Sequence, residues 1–121
     1  MGRKTIIACN ILILFFLYII IAVFFAFIYI LLDIVELGKI VDHHASLYHQ
    51  QQAIDLFTRS IYFSFITLFA VGYGDVSPLG LAKGVAIVQA LVGYVLPYAI
   101  ILNYIVFKPK IIRWHVKKKI R

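Results

Sequence analysis

The amino-acid sequence predicts an all-α membrane protein in which two crossing helices flank a shorter re-entrant one. Of 121 residues, 64% are hydrophobic and only 14% charged, too apolar for the surface of a small soluble domain. Three uncharged stretches, of 28, 15 and 24 residues, occupy positions 5–32, 60–74 and 84–107. A helix needs about 20 residues to cross roughly 30 Å of hydrocarbon, so the first and third span and the second is too short. Charge placement gives the orientation. The formal net charge is +7, and nine of the 12 Lys and Arg sit at the ends: Arg3, Lys4, Lys108, Lys110, Arg113, Lys117, Lys118, Lys119 and Arg121. All five acids (Asp33, Glu36, Asp42, Asp55, Asp75) lie between. By the positive-inside rule both termini are cytoplasmic, which requires an even number of crossings.

The outer helix is expected over residues 5–37. Its uncharged part reaches about 42 Å, so it tilts or projects outward through Ile34, Val35 and Leu37. Asn10 is the one strongly polar residue of that uncharged part. Cys9 is the only cysteine, so no intrachain disulfide exists. It is a candidate for palmitoylation at the cytoplasmic edge, but an inert helix residue is the preferred reading. Arg3 and Lys4 precede an apolar run far too long for a cleaved signal. Residues 38–54, polar and mixed with Gly38 as a break, form an extracellular turret. His43, His44 and His49 fall there, a set that can bind zinc or sense pH. No cysteine or regular ligand spacing accompanies them, so solvated loop histidines are preferred and no transition-metal site is expected.

A short helix is expected over residues 55–69, with Asp55 or Thr58 as its N-cap. Ser60, Ser64 and Thr67 fall at helical spacing, a polar stripe aimed at the following loop or a neighbouring chain. Non-helical backbone at membrane depth is tolerated only inside protein or along a water-filled cavity, which constrains what residues 70–75 do. Pro78, Gly80 and Lys83 form a return loop, and residues 84–107 give an inner helix of about 36 Å. A basic tail follows over 108–121, with Trp114 at the interface. No nucleophile–base set, metal motif or cofactor loop is present, so the chain does not read as an enzyme. The tail is too short and too near the membrane for nucleic-acid binding.

The run Val71-Gly72-Tyr73-Gly74-Asp75 resembles the selectivity filter of the tetrameric potassium channels. The order helix, re-entrant loop, helix is similar to their two-helix pore domain, and the resemblance covers most of the chain. It implies a homotetramer that passes K⁺ passively across a membrane, with K⁺ as permeant ion and no cofactor. Ion sites would be formed by backbone carbonyls of Val71, Gly72 and Tyr73, with Ala70 at the inner end and Gly74 at the outer. The chemistry suits these residue types. A ring of carbonyls replaces a cation's water without a net charge to trap it, and aligned carbonyls need alternating backbone hand, which glycine adopts cheaply. The helix before the filter points its partially negative end where a cation would wait. Tyr62 and Phe63 match positions whose aromatics brace the filter tyrosine, Tyr62 being the candidate partner of Asp75, and Thr67 supports the same loop. Ile66 stands where some relatives carry a buried glutamate, so no carboxyl pair supports Asp75.

One departure is Ala70, where the family usually has threonine. The innermost site then loses its hydroxyls, and a weakly selective cation channel is the alternative. Phe69, larger than usual, is expected to crowd the helix end. A non-conducting modulatory subunit is a third reading, against which the intact Gly-Tyr-Gly backbone argues. In the inner helix, Gly93 aligns with the family's gating hinge. Pro97 cannot donate to the carbonyl of Gly93, so a kink is expected there. Helical counting puts Tyr94, Pro97, Ile101 and Ile105 on the cavity face, the two isoleucines forming a constriction that closes by dewetting. Asn10 and Asn103 fall at similar depth on antiparallel helices and are expected to hydrogen-bond. Lys117, Lys118 and Lys119 form a basic cluster suited to anionic lipid, although topology alone accounts for them. The expected location is the plasma membrane.

Overall fold

The computed structural model describes residues 2–120, and their side chains as far as Asn103. The first helix, α1, runs Arg3–Ile34 and the last, α4, runs Ala82–Ile120. Two segments are long and apolar enough to cross a membrane, Arg3–Ile34 and Ala82–Asn103. Between them lie strand β1 (Gly38–Asp42), a single turn α2 (Leu47–Gln50), the re-entrant helix α3 (Ala53–Leu68) and strand β2 (Val76–Gly80).

Helix α1 is apolar all round, as a helix in lipid must be, but only one face is buried in the chain. Ala22, Phe25, Ala26 and Tyr29 are spaced three, one and three apart and form that face. The small Ala22 and Ala26 let α3 approach closely, while Phe25 and Tyr29 fill the space with Phe63, Ile66, Val76 and Ala82. The helix stops three residues before the expected boundary of 37. Glu36 adopts φ 59°, and the amides of Glu36 and Leu37 return to the carbonyls of Asp33 and Leu32 at 3.1 Å each. This is a Schellman cap with glutamate at the position glycine normally takes.

The 38–54 segment holds more order than a turret loop. Strand β1 pairs antiparallel with β2, from Gly38 opposite Gly80 to Asp42 opposite Val76. Pro78 within β2 is tolerated because a two-stranded ribbon is all edge. Two glycines bring the ribbon's closed end tight against the helix ends. A Cβ on Gly38 would sit 2.7 Å from the amide nitrogen of Ala82, and one on Gly80 2.6 Å from the carbonyl of Leu37.

Helix α3 begins at Ala53, two residues before the expected start, and Gln52 is its N-cap without a side-chain bond. Asp55 is therefore a first-turn acid that pairs with Arg59, and Thr58 donates back to the carbonyls of Ile54 and Asp55. Neither caps the helix. Helix α4 starts at Ala82 and is continuous past Pro97 and through the basic segment expected as a tail after 107.

Candidate functional site

The site is the loop between α3 and β2. At the end of α3 the amides fold back on the helix: Phe69 N–H donates to Phe65 O (3.0 Å) and Ala70 N–H to Thr67 O (3.1 Å). The carbonyl of Ile66 accepts from both Val71 (2.9 Å) and Gly72 (3.2 Å), so the loop's first amides hang from one helical oxygen. The backbone then takes positive φ at every second residue: Ala70 at 56°, Gly72 at 53° and Gly74 at 85°. This is the alternation that a row of inward carbonyls requires. Gly72 and Gly74 have nothing within 4 Å of a built Cβ, so their need is for φ and not for room. Ala70 takes the same hand without glycine's freedom, a residue that sequence reasoning considered only for its missing hydroxyl.

Around the loop, Tyr62 O–H donates to Asp75 Oδ2 at 2.9 Å. That bond, ahead of burial and charge, pushes the Tyr62 phenol above its ordinary pKa. Asp75 Oδ1 is buried and has no partner among the described residues, consistent with an apolar Ile66, itself buried, in place of a carboxyl. A cleft of about 200 Å³ lies behind this mouth, lined by Asp42, Asp55, Arg59, Tyr62 and Asp75 among others. The ribbon pins the loop's exit: His43 N–H donates to Asp75 O at 3.0 Å, and the His43 ring bonds Ser77 Oγ at 2.7 Å. Among the described residues, no cluster of three histidines, cysteines or acids forms a metal site.

Several residues stand elsewhere than expected. Phe63 turns from the filter into the core, edge-on to Tyr29 at 5.1 Å. Phe69 does not crowd the helix end but stacks on Tyr18 of α1 at 5.4 Å, with Phe65 on its other flank at 6.2 Å. Thr67 is half-buried and serves the loop through its carbonyl. The stripe of Ser60 and Ser64 faces inward within one chain, both being buried. Ser64 Oγ donates to Ala22 O at 2.6 Å and accepts from Gln89 Nε2 at 2.7 Å. Gln89 and Arg59 went unremarked in the sequence, where one polar residue in an apolar helix carries no signal of its partners. Arg59 is buried and pairs with Asp55 and, at 4.0 Å, with Asp33 of α1.

Tyr94 and Ile101 are exposed and Pro97 half-buried, while Gly93 is buried. Asn10 and Asn103 are both exposed, and no hydrogen bond joins them among the described residues. The side chains of Ile105, Trp114, Lys117, Lys118 and Lys119 lie outside the described residues.

A family model described as an ion channel matches residues 13–107, most of the chain. The chain belongs to this ion channel family. With its two apolar helices, the chain is a membrane protein. Protein LctB of Bacillus caldotenax is 48% identical over 54 residues, 45% of this chain and 40% of that protein. Protein LctB of Geobacillus stearothermophilus is 44% identical over 54 residues, again 45% and 40% of the two chains. The chain thus spans about two fifths of the length of these relatives. No solved structure matches it significantly.

Proposed function

We propose that the channel is a homotetramer selective for K⁺, conducting through a ring of backbone carbonyls from Ala70 to Gly74 and closing at the inner ends of α4. The observation that carries this is the left-handed backbone at Ala70, Gly72 and Gly74, alternating through Val71-Gly72-Tyr73-Gly74. Such a strand supplies oxygens without charge, which suits a weakly held, desolvated monovalent cation and not a divalent one. One chain contributes one side of each oxygen ring, and Tyr73 is 72% exposed in it, so the reading requires neighbours against which that ring packs. The basic ends support a reading in which both termini are cytoplasmic and Lys117 to Lys119 lie near the anionic lipid of a plasma membrane.

A weakly selective cation channel is favoured by one observation, the lack of a hydroxyl at Ala70. The test is the reversal potential of the purified full chain in planar bilayers under opposed K⁺ and Na⁺ gradients. The expected value lies near the K⁺ equilibrium potential. A value near zero with measurable current would establish the weakly selective reading instead.

A further inference from the structure

Gln89 is fully buried, and its amide lies where α1, α3 and α4 meet. Tyr29 O–H donates to its Oε1 at 2.7 Å, and its Nε2 donates to both the carbonyl (2.9 Å) and the hydroxyl (2.7 Å) of Ser64. The Ser64 hydroxyl in turn donates to the carbonyl of Ala22 at 2.6 Å. The direction of the relay is fixed. A backbone carbonyl only accepts, so the amide must turn its NH₂ to Ser64 and its oxygen to Tyr29. Every donor in the chain Tyr29, Gln89, Ser64, Ala22 is used.

Gluing helices together would explain one such contact, but a second contact lies on the same seam. Gly93 follows Gln89 by one turn, and Leu68 follows Ser64 by one turn. A Cβ on Gly93 would stand 2.0 Å from the carbonyl oxygen of Leu68, so the two backbones touch. Leu68 is the last residue of α3, and the filter amides of Val71 and Gly72 hang from Ile66 two residues earlier. The seam therefore runs from a buried amide to the root of the filter. Below it, no residue from Tyr94 to Asn103 is buried, and Pro97 leaves the carbonyl of Gly93 without its helical donor. Packing and backbone bonding weaken at the same place.

We propose that Gln89 is a positioning residue that holds the root of the filter to the upper part of α4, so that bending of α4 is confined below Gly93. Gly93 is then a contact, and the turn from Tyr94 to Pro97 is the pivot. The role in conduction rests on the channel reading above, but the mechanical link does not. The first readout is accordingly amide hydrogen exchange at Val71 and Gly72 in the full chain reconstituted in lipid nanodiscs. The variants are Q89L and the triple variant Y29F/S64A/Q89L, in which no side chain of the relay is left unpaired. Exchange at both amides is expected to quicken about tenfold in the triple variant while its melting temperature stays near that of the parent. If Q89L fails to assemble, the triple variant decides. Unchanged exchange in a stable triple variant would overturn the proposal. The second readout is single-channel burst duration, expected to shorten severalfold in the triple variant. A parent protein without K⁺-selective current would defeat the functional reading alone, since the exchange experiment needs no current.

Discussion

At the scale of single residues, Ala70 carries two opposed demands. Its φ of 56° costs a non-glycine residue about 1–2 kcal/mol, and a β-branched residue there is strained further. Ala70→Thr would add a hydroxyl to each subunit's share of the innermost site. It is expected to strengthen thallium density at that site while lowering the melting temperature. Density already as strong in the parent as at the outer sites would show that carbonyls alone suffice. Tyr62 poses a question of pH. Its phenol is held protonated by the bond to Asp75, with its pKa raised above 10. The stabilisation is therefore fully present below the unfolded value and is lost as pH rises through the higher folded one. Tyr62→Phe is expected to shorten conducting bursts severalfold, by an amount constant from pH 6 to 9, and the difference between the two proteins should vanish in stronger alkali. A difference that varied across neutral pH would show that the Tyr62 phenol is not the group responsible. The positive φ of Gly72 and Gly74 was legible in the sequence because its cause is local. The left-handed Ala70 was not, because its conformation is imposed by the amides of Val71 and Gly72 reaching back to Ile66.

At the scale of elements, the helices were legible from the lengths of uncharged runs, whereas the ribbon was hidden. Its two strands lie far apart in sequence, and Pro78 and Gly80 in β2 speak against a strand unless the pairing is known. The direction of Ser60 and Ser64 was likewise misjudged: both are buried within the chain, and the partners of Ser64, Ala22 and Gln89, lie on other helices. Arg59 shows what such a hidden contact does. Its pairing with Asp55 and Asp33 ties the outer end of α3 to α1, with the two carboxylates 25% and 23% exposed. Removing one partner of a buried pair costs about 3–5 kcal/mol, and the partial exposure here reduces that to about 2–3. Arg59→Met is expected to lower the denaturation midpoint accordingly, while the triple variant D33N/D55N/R59M recovers most of the loss. A midpoint unmoved in Arg59→Met would mean the pair contributes nothing. In α4, Pro97→Ala would restore a donor to the carbonyl of Gly93 and stiffen the pivot. Open probability is expected to fall while the reversal potential holds, as single-channel recording would report.

At the scale of the whole molecule, what the chain leaves uncovered matters most. Helix α1 exposes large apolar residues along most of its length, and lipid is a sufficient partner for them. Lipid is not a sufficient partner for the loop from Ala70 to Gly74. Val71 and Tyr73 are 49% and 72% exposed beside backbone whose amides and carbonyls are held out of regular structure, and such backbone survives at membrane depth only when other protein or water surrounds it. Tyr94, Tyr98 and Ile101 add a second uncovered surface along α4. The proposed four-fold arrangement would answer both needs, laying each 70–74 loop against its neighbours and turning one face of α4 to a shared water-filled axis, whereas two chains would leave the loop open to lipid on one side. Native mass spectrometry from detergent is therefore expected to give about four times 13.8 kDa. Tyr73→Ala, which removes the exposed ring without touching the core of one chain, should shift that population toward monomer. A dominant dimer in the parent, or a tetramer indifferent to Tyr73→Ala, would mean that the filter strand is not where the subunits meet.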